Sequence, residues 1–213
     1  MAKLMQPKSF LKSSEGSITS YDFKDIAGGE GYVTFYLMKD AAGYTLSSET
    51  LYSDVVSLKQ AEPGAAPAAK QFDQTFTYTL NTNRVVNGSV IVTIMADSSF
   101  DSVCSIVNYF HVDFIRIRGG SETVIATGNT VTRTYDATPT NEFSNTIAIP
   151  VTNSVFVKGD KIGIRLQNWI YKTTGSTGIV LIIGFDPMNR TDIVNTQLTL
   201  TKSTVSIPFK IDN

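Results

Sequence analysis

The sequence contains one cysteine and one histidine in 213 residues, which restricts the chemistry it can support. Cys104 has no second cysteine, so an intrachain disulfide framework is excluded. Zinc sites need three or four protein ligands, usually Cys or His, so zinc is not expected. The sequence also lacks a nucleophile elbow and a phosphate-binding glycine loop, and we expect no cofactor. These absences predict a protein that is not an enzyme.

Net charge and long apolar segments are also scarce. Eighteen basic and nineteen acidic residues leave a net charge of −1, which gives no field to attract nucleic acid or an anionic membrane. The longest apolar run, residues 179–183, is far shorter than a membrane span. The first residues lack the apolar stretch of a secretory signal. We therefore expect a soluble protein, made in the cytoplasm, with no nucleic acid or membrane partner.

β-Branched residues dominate what is present. Threonine, isoleucine and valine make up 63 of the 213 residues, and these types favour strands over helices. Alternation and turn residues predict strands at 18–23, 32–38, 44–46, 51–58, 72–80, 89–95, 111–118, 123–125, 131–135, 146–151, 155–157, 161–171, 178–185 and 205–211. Only residues 99–109 show helical spacing. This series predicts an all-β fold, an antiparallel two-sheet β-sandwich of jelly-roll type.

Three local features refine the strand prediction. Asn87-Gly88 is a tight-turn dipeptide and predicts a hairpin that leads into residues 89–95. The inward face changes between Phe114 and Ile115, which indicates a β-bulge or a strand buried on both faces. Pro208 cannot donate to a ladder, so it predicts an edge strand or an unpaired position within a strand.

The domain organisation follows from two polar, weakly patterned segments. Residues 1–16 read as an N-terminal arm, with Leu4, Phe10 and Leu11 as its scattered apolar points. Residues 17–213 are predicted to form one β-sandwich domain, with a Pro/Ala-rich loop at 60–70. That loop could instead mark a domain boundary, but the 58 residues before it would make a marginal unit on their own.

Few residues suggest chemistry. His111 has one carboxylate nearby, Asp113, and the simplest interpretation is a strand-end histidine that touches solvent or a backbone carbonyl. Two groups of acidic residues beside turns could bind calcium or simply cap those turns: Asp22, Asp25 and Glu30, and Asp186 and Asp192. Neither group follows the EF-hand spacing.

Exposed aromatic side chains in a row could stack on sugar rings. Trp169 and Tyr171 are the main candidates, with Tyr109 and Tyr135 as further members. Burial of Trp169 in the core, after a change of face near the end of its strand, is the competing interpretation. The aromatic row supports an alternative function as a carbohydrate-binding, lectin-like or receptor-binding module.

Two segments resemble a known family. Residues 19–27 with 31–36, and residues 156–160 leading through Ile162, Ile164, Leu166 and Trp169 to 183–187, resemble jelly-roll virion structural proteins of tailed phages and related viruses. The resemblance leaves residues from about 60 to 150 unmatched. It implies a capsid decoration or minor head protein, located in the virion, without catalytic residues.

This resemblance gives the sequence-based prediction of function. We expect a non-enzymatic virion structural protein that docks on capsid proteins or on neighbouring copies of itself. Leu4, Phe10 and Leu11 are the predicted docking residues of the arm. A glycan is the alternative partner, and the oligomeric state stays open.

Overall fold

The computed structural model describes residues 19–20, 30–60, 68–100, 105–136, 140–174, 179–194 and 197–210. Within these ranges the regular structure is entirely β-strand, and no helix has the length and hydrophobicity that crossing a membrane would require. The strands are β1 (Thr19–Ser20), β2 (Glu30–Asp40), β3 (Gly43–Ser47), β4 (Ser57–Gln60), β5 (Ala69–Thr79), β6 (Arg84–Phe100), β7 (Ser105–Arg118), β8 (Ser121–Asn129), β9 (Arg133–Asp136), β10 (Thr140–Phe156), β11 (Lys161–Thr174), β12 (Ile179–Gly184), β13 (Asp192–Val194), β14 (Gln197–Thr199) and β15 (Thr204–Lys210).

Thirteen of the described strands form one continuous mixed sheet, in the order β4-β12-β6-β15-β2-β3-β5-β11-β7-β8. β1 pairs with β2, β10 with β6 and β9 with β7, while β13 and β14 form a separate pair. The all-β prediction is confirmed. Hydrogen bonding joins these thirteen strands into one sheet rather than dividing them between two, so the two-sheet jelly roll stays a prediction.

Strands from both sides of the Pro/Ala-rich loop contribute to this sheet. β2 pairs with β15, and β4 pairs with β12, although the loop separates them in sequence. β3 and β5 meet in parallel at a single residue pair, Thr45 and Thr77, whereas the other strand pairs are antiparallel. The sheet is therefore weakly joined at this point.

Part of the core lies where β7 and β8 pack against β10. The Phe114 and Phe156 rings pack with their centroids 5.8 Å apart, and both residues are fully buried. A Cβ added at Gly128 of β8 would lie 2.8 Å from Ile147 Cδ1 and 3.4 Å from Ile149 Cγ1 of β10. β8 and β10 thus pack face to face without pairing.

The hairpin predicted at Asn87-Gly88 is wrong. β6 runs straight through both residues, with Gly88 at a φ of 118°. Opposite them, the register of β10 shifts between Val151 and Ser154, and Asn153 donates its backbone N–H to Asn87 Oδ1 at 3.1 Å. The glycine therefore serves an irregularity within a strand pair instead of a reversal of the chain.

Three other local predictions meet different outcomes. The helical spacing of residues 99–109 is misleading, because β6 extends to Phe100 and β7 starts at Ser105; Cys104 lies outside the described residues. The strand predicted at 51–58 is confined to β4, and Ser53 instead donates its hydroxyl to Lys39 O and accepts from Lys39 N. Pro208 lies in a central strand, where the β15–β6 register shifts between Ser206 and Phe209. The edge-strand alternative is wrong: Pro208 is in register with Tyr32 of β2 and has no registered partner on the β6 side.

The predicted change of face in β7 coincides with a bulge. The β7–β8 register shifts between Phe114 and Ile115, and both side chains are fully buried. Ile115 lies over Gly163 of β11, where an added Cβ would come within 2.5 Å of Ile115 Cγ1. Glycine is needed there because Ile115 occupies the space of a side chain.

An ion pair closes the turn between β10 and β11. Arg118 Nε and Nη2 donate to Asp160 Oδ1 and Oδ2 at 2.8 and 2.6 Å, and Val157 N donates to Oδ2 at 2.9 Å. These hydrogen bonds, with that from Arg118 the strongest, lower the pKa of Asp160 to about 2. The pair fixes the start of β11 against the end of β7.

Candidate functional site

Strands β5, β11, β7 and β8 present a polar surface on the side away from the core. Along β11, Ile162, Ile164 and Leu166 are buried. The alternate residues Arg165, Gln167 and Trp169, which point to the other side, are partly exposed. We call this surface the polar face. Its members are Lys70, Asp73, Thr75, Tyr109, His111, Asp113, Glu122, Thr127, Asn129, Arg165, Gln167 and Trp169.

An aromatic pair lies at one end of the polar face. Tyr109 of β7 and Trp169 of β11 are direct cross-strand neighbours, and their ring planes are parallel to within 2° with centroids 6.2 Å apart. Both residues are partly exposed. Trp169 Nε1 donates to Gln167 Oε1 at 3.4 Å. The interpretation that buries Trp169 in the core is therefore wrong.

Strand alternation explains the position of Trp169. Asn168 and Ile170, on either side of it, are buried, so β11 does not change face. Its register with β5 shifts between Asn168 and Trp169, and its register with β7 is regular there. Tyr171 follows on the same side of β11 as Trp169 and is partly exposed, while the side chain of Tyr135 lies outside the described residues.

His111 is held among oxygen atoms in the middle of β7, so the strand-end interpretation is wrong. Its Nε2 lies 3.0 Å from Asp113 Oδ1 and 3.2 Å from Thr127 Oγ1, and its Nδ1 lies 2.7 Å from Asn129 Oδ1. Asp113 is largely buried. The imidazole orientation is fixed by strands β7 and β8 together, and its side chain keeps about 28% of its surface exposed.

Arg165 lies among three carboxylates near the middle of the polar face. Its Nε is 3.9 Å from Asp73 Oδ1, its Nη1 is 3.9 Å from Asp113 Oδ2, and its Nη2 donates to Glu122 Oε2. Lys70 forms a second ion pair with Asp73. Three carboxylates against two cations leave the face without an excess of positive charge when His111 is neutral.

A cavity of about 580 Å³ lies at the weak junction of β3 and β5. Thr77, Thr79 and Lys161 line it from the polar-face side, since they continue the outward positions of β5 and β11. Asp40 and Glu49 line it from the other side. The cavity therefore lies beyond the end of the polar face opposite the aromatic pair, and β5 and β11 run from one to the other.

Comparisons with known proteins identify the fold but no family. No family model matches the chain, and no curated protein matches it. A solved CocE/NonD family hydrolase from Staphylococcus aureus is similar, with a TM-score of 0.54, 12% identity and coverage of 85% of this chain and 36% of that chain. An aminopeptidase from a marine sediment archaeon, Thaumarchaeota archaeon, has a TM-score of 0.53 at 9% identity. The match covers 86% of this chain and 37% of that chain.

Two further solved structures are similar to the chain, one of a hydrolase and one of a virus. An alpha-amino acid ester hydrolase gives a TM-score of 0.53 at 13% identity, over 83% of this chain and 36% of that one. The chain thus spans little more than a third of the length of these hydrolases. A structure of infectious bursal disease virus, Gx strain, has a TM-score of 0.30 at 13% identity, and the match covers 82% of this chain and 46% of that chain. At that TM-score the viral likeness carries no argument.

The prediction that the chain is not an enzyme, which was drawn from the absence of recognisable catalytic motifs, is wrong as an inference from the sequence. The same fold forms part of chains that are named as hydrolases and as an aminopeptidase. At these identities the likeness shows the fold alone, and function depends on the site that a fold carries.

The remaining sequence-predicted residues have separate outcomes. Leu4, Phe10 and Leu11 lie outside the described residues, as do Asp22 and Asp25. Asp186 is committed to an ion pair with Arg190, at 3.0 Å between Oδ2 and Nε. Across the described ranges, no group of three or more Cys, His, Asp or Glu side chains is arranged to bind a metal. Arg165, Gln167 and Asp73 were not predicted, although the first two share the strand parity of Trp169.

Proposed function

We propose that the polar face binds a carbohydrate. The observation that carries this proposal is the parallel, partly exposed pair Tyr109 and Trp169 beside fixed hydrogen-bonding groups. Aromatic rings offer apolar faces to the C–H side of a sugar, and few, well-placed polar groups give a ligand site its orientation. His111, Asn129 and Gln167 supply such groups next to the rings.

The charges on the polar face favour a neutral sugar. Arg165, the central cation, is already paired with Asp73, Asp113 and Glu122. An anionic sugar would have to compete with these carboxylates and would be repelled by them. A neutral sugar can accept from the guanidinium and donate to the carboxylates through its hydroxyl groups without displacing any ion pair.

We also infer that the continuous sheet folds over into two facing layers, as in a β-sandwich. The contact of Gly128 with Ile147 and Ile149 and the packing of Phe114 on Phe156 support two layers around one core. Such an arrangement makes the polar face an outer surface on rigid strands, where a ligand meets prepositioned side chains.

Loss of the indole is expected to weaken sugar binding strongly. We expect Trp169→Ala to lower affinity for a bound glycan about thirtyfold, since truncating a central aromatic typically costs about 2 kcal/mol or more. Trp169→Phe, which keeps an aromatic face, should retain most of the affinity. An array of neutral oligosaccharides identifies ligands, and calorimetry with the best one measures the effect.

The matched control is Tyr36→Ala. Tyr36 is a partly exposed aromatic on β2, in another part of the sheet, where Lys202 Nζ lies 4.8 Å from its ring centroid. Its removal should leave glycan binding unchanged. Absence of binding to every neutral glycan on the array would reject the proposed function, and equal losses in both alanine variants would remove Trp169 from the site.

A second proposal, a structural role in a virus particle, rests on the sequence resemblance. Residues 156–160 and 183–187, which carry part of it, both lie where a turn meets a strand of the sheet. We expect deletion of residues 1–16 to reduce incorporation of the chain into particles several-fold, because the arm holds the predicted docking residues. Quantifying the chain in purified particles measures this, and unchanged incorporation contradicts docking through the arm.

A further inference from the structure

The polar face continues well beyond the aromatic pair. From Trp169 to Lys161, β11 spans nine residues, and the eight steps between them correspond to about 27 Å of strand. Thr75, Thr77 and Thr79 of β5 flank this stretch on one side. A single sugar ring stacked on Trp169 would occupy only one end of such a strip.

Polar groups lie at the middle and at the far end of the strip, and the threonines of β5 connect them past the apolar position where Ile115 covers Gly163. Midway, the Arg165–Glu122 ion pair crosses from β11 to β8, and both side chains are partly exposed. At the far end, the cavity beside β3 combines Asp40, Glu49 and Lys161 with apolar lining from Met38 and Leu46. Its volume of about 580 Å³ lies within the range of small-molecule sites.

The cavity has an ordered rim. Asp40 Oδ1 accepts from the backbone N–H groups of Ala42 and Gly43 at 2.8 and 3.0 Å, and Oδ2 accepts from Thr45 Oγ1 at 3.2 Å. Ser47 Oγ donates to Glu49 O at 2.6 Å. Because these hydrogen bonds fix the β2–β3 turn and the segment after β3, the cavity walls are set before a ligand arrives.

We propose that the polar face binds an extended neutral glycan chain, with the Tyr109–Trp169 pair as one end of the binding surface and the β3–β5 cavity as the other. This inference rests on the proposed carbohydrate binding and specifies its ligand as a chain rather than a mono- or disaccharide. A chain that reaches both ends gains contacts at each, and the two sets of contacts reinforce one another through their linkage.

Trp169 provides a direct measurement, because it is the single tryptophan of the chain. Its fluorescence can be titrated with neutral β-1,4-linked oligomers of glucose, mannose and N-acetylglucosamine, from the disaccharide to the hexasaccharide. Within the series that binds, we expect affinity to rise with chain length until the oligomer spans both ends, by about tenfold or more overall.

A pair of lysine variants tests the far end. Lys161→Ala removes a cavity group, and we expect about fivefold weaker binding of the hexasaccharide, the loss of roughly one hydrogen bond, with disaccharide binding unchanged. Lys158→Ala, an exposed lysine in the turn before β11, is the control and should change neither.

The outcomes separate the two proposals. Rising affinity with length that is reduced in Lys161→Ala supports the extended site. Binding that is equal for disaccharide and hexasaccharide, or equally weakened for both by Lys161→Ala, overturns the extended site and leaves carbohydrate binding intact. Failure of every oligomer to bind overturns both.

Discussion

Replacing Asp186 with alanine is expected to lower the free energy of unfolding by about 2–3 kcal/mol, because backbone donors lose a fully buried acceptor, while the ion-pair partner Arg190 is about 42% exposed and can be solvated. Asp186 is fully buried and lies two residues after the end of β12. Its Oδ2 accepts from Arg190 Nε at 3.0 Å and from Arg190 N at 2.7 Å, and its Oδ1 accepts from Ser53 N at 3.2 Å. The variant leaves these donors without their acceptor in a closely packed region.

Asp186 matters because it extends the contact between the segment before β4 and the segment after β12 beyond the paired ends of these two strands. Arg190 Nη2 also donates to Ser53 O, and Ser53 in turn bonds to Lys39 of β2. Urea unfolding, followed by Trp169 fluorescence, measures the change. Asp54→Ala, which removes an exposed carboxylate from the segment before β4, should stay within about 0.5 kcal/mol of the wild type. Similar values for the two variants would contradict the assigned role of Asp186.

Periodicity predicted the strands whose pattern is set by burial. In β15, Val205, Ile207 and Phe209 are buried, as their alternation indicates, and in β11 Ile162, Ile164 and Leu166 behave the same way. These strands keep a regular alternation because one side packs on the core along the whole length. The abundance of β-branched residues correctly predicted the absence of helix from the described ranges.

Local turn signals failed where long-range pairing decides. Asn87-Gly88 has the composition of a tight turn, but β10 pairs with β6 on both sides of it, from Arg84 to Ser99. A glycine with positive φ serves a bulge as well as a hairpin, and only the partner strand distinguishes them. The pairing of residues more than 40 positions apart is not encoded in any local pattern.

The sequence predicted the aromatic residues of the candidate site but not the polar residues that surround them. Trp169 stood out, and its parity opposite Ile162 and Ile164 was the correct signal for an outward position, but a change of face was inferred from it. The sequence could not predict the register in which β7 and β11 pair. Tyr109 lies opposite Trp169, and Asp113 lies opposite Arg165, only because the two strands pair in this register. Shifting that alignment by one residue would dissolve the cluster.

A substitution at Gly184 is expected to be among the most disruptive single-methyl changes in the sheet. A Cβ at this position, the last residue of β12, would lie 2.4 Å from Thr201 Cα, 2.9 Å from Leu200 O and 3.0 Å from Thr201 C. Gly→Ala normally stabilises by about 0.4–1 kcal/mol through the unfolded chain, when the native conformation allows it. Here a clash with backbone outweighs that gain, and we expect a net destabilisation of about 3 kcal/mol or more.

Gly163→Ala provides the comparison, because its clash is with a side chain. The added methyl would meet Ile115 Cγ1 and Cδ1 at 2.5 and 2.7 Å, and shortening Ile115 removes both atoms. Gly163→Ala should therefore destabilise the wild type yet stabilise Ile115→Ala, where the methyl fills part of the cavity. At Gly184 the obstacle is the backbone that follows β14, held by hydrogen bonds from Asp186 N to Thr201 O and from Ser203 Oγ to Gly184 O. Denaturant unfolding of the two glycine variants and the double variant tests this distinction, and a Gly184→Ala protein as stable as the wild type would contradict the close approach of these segments.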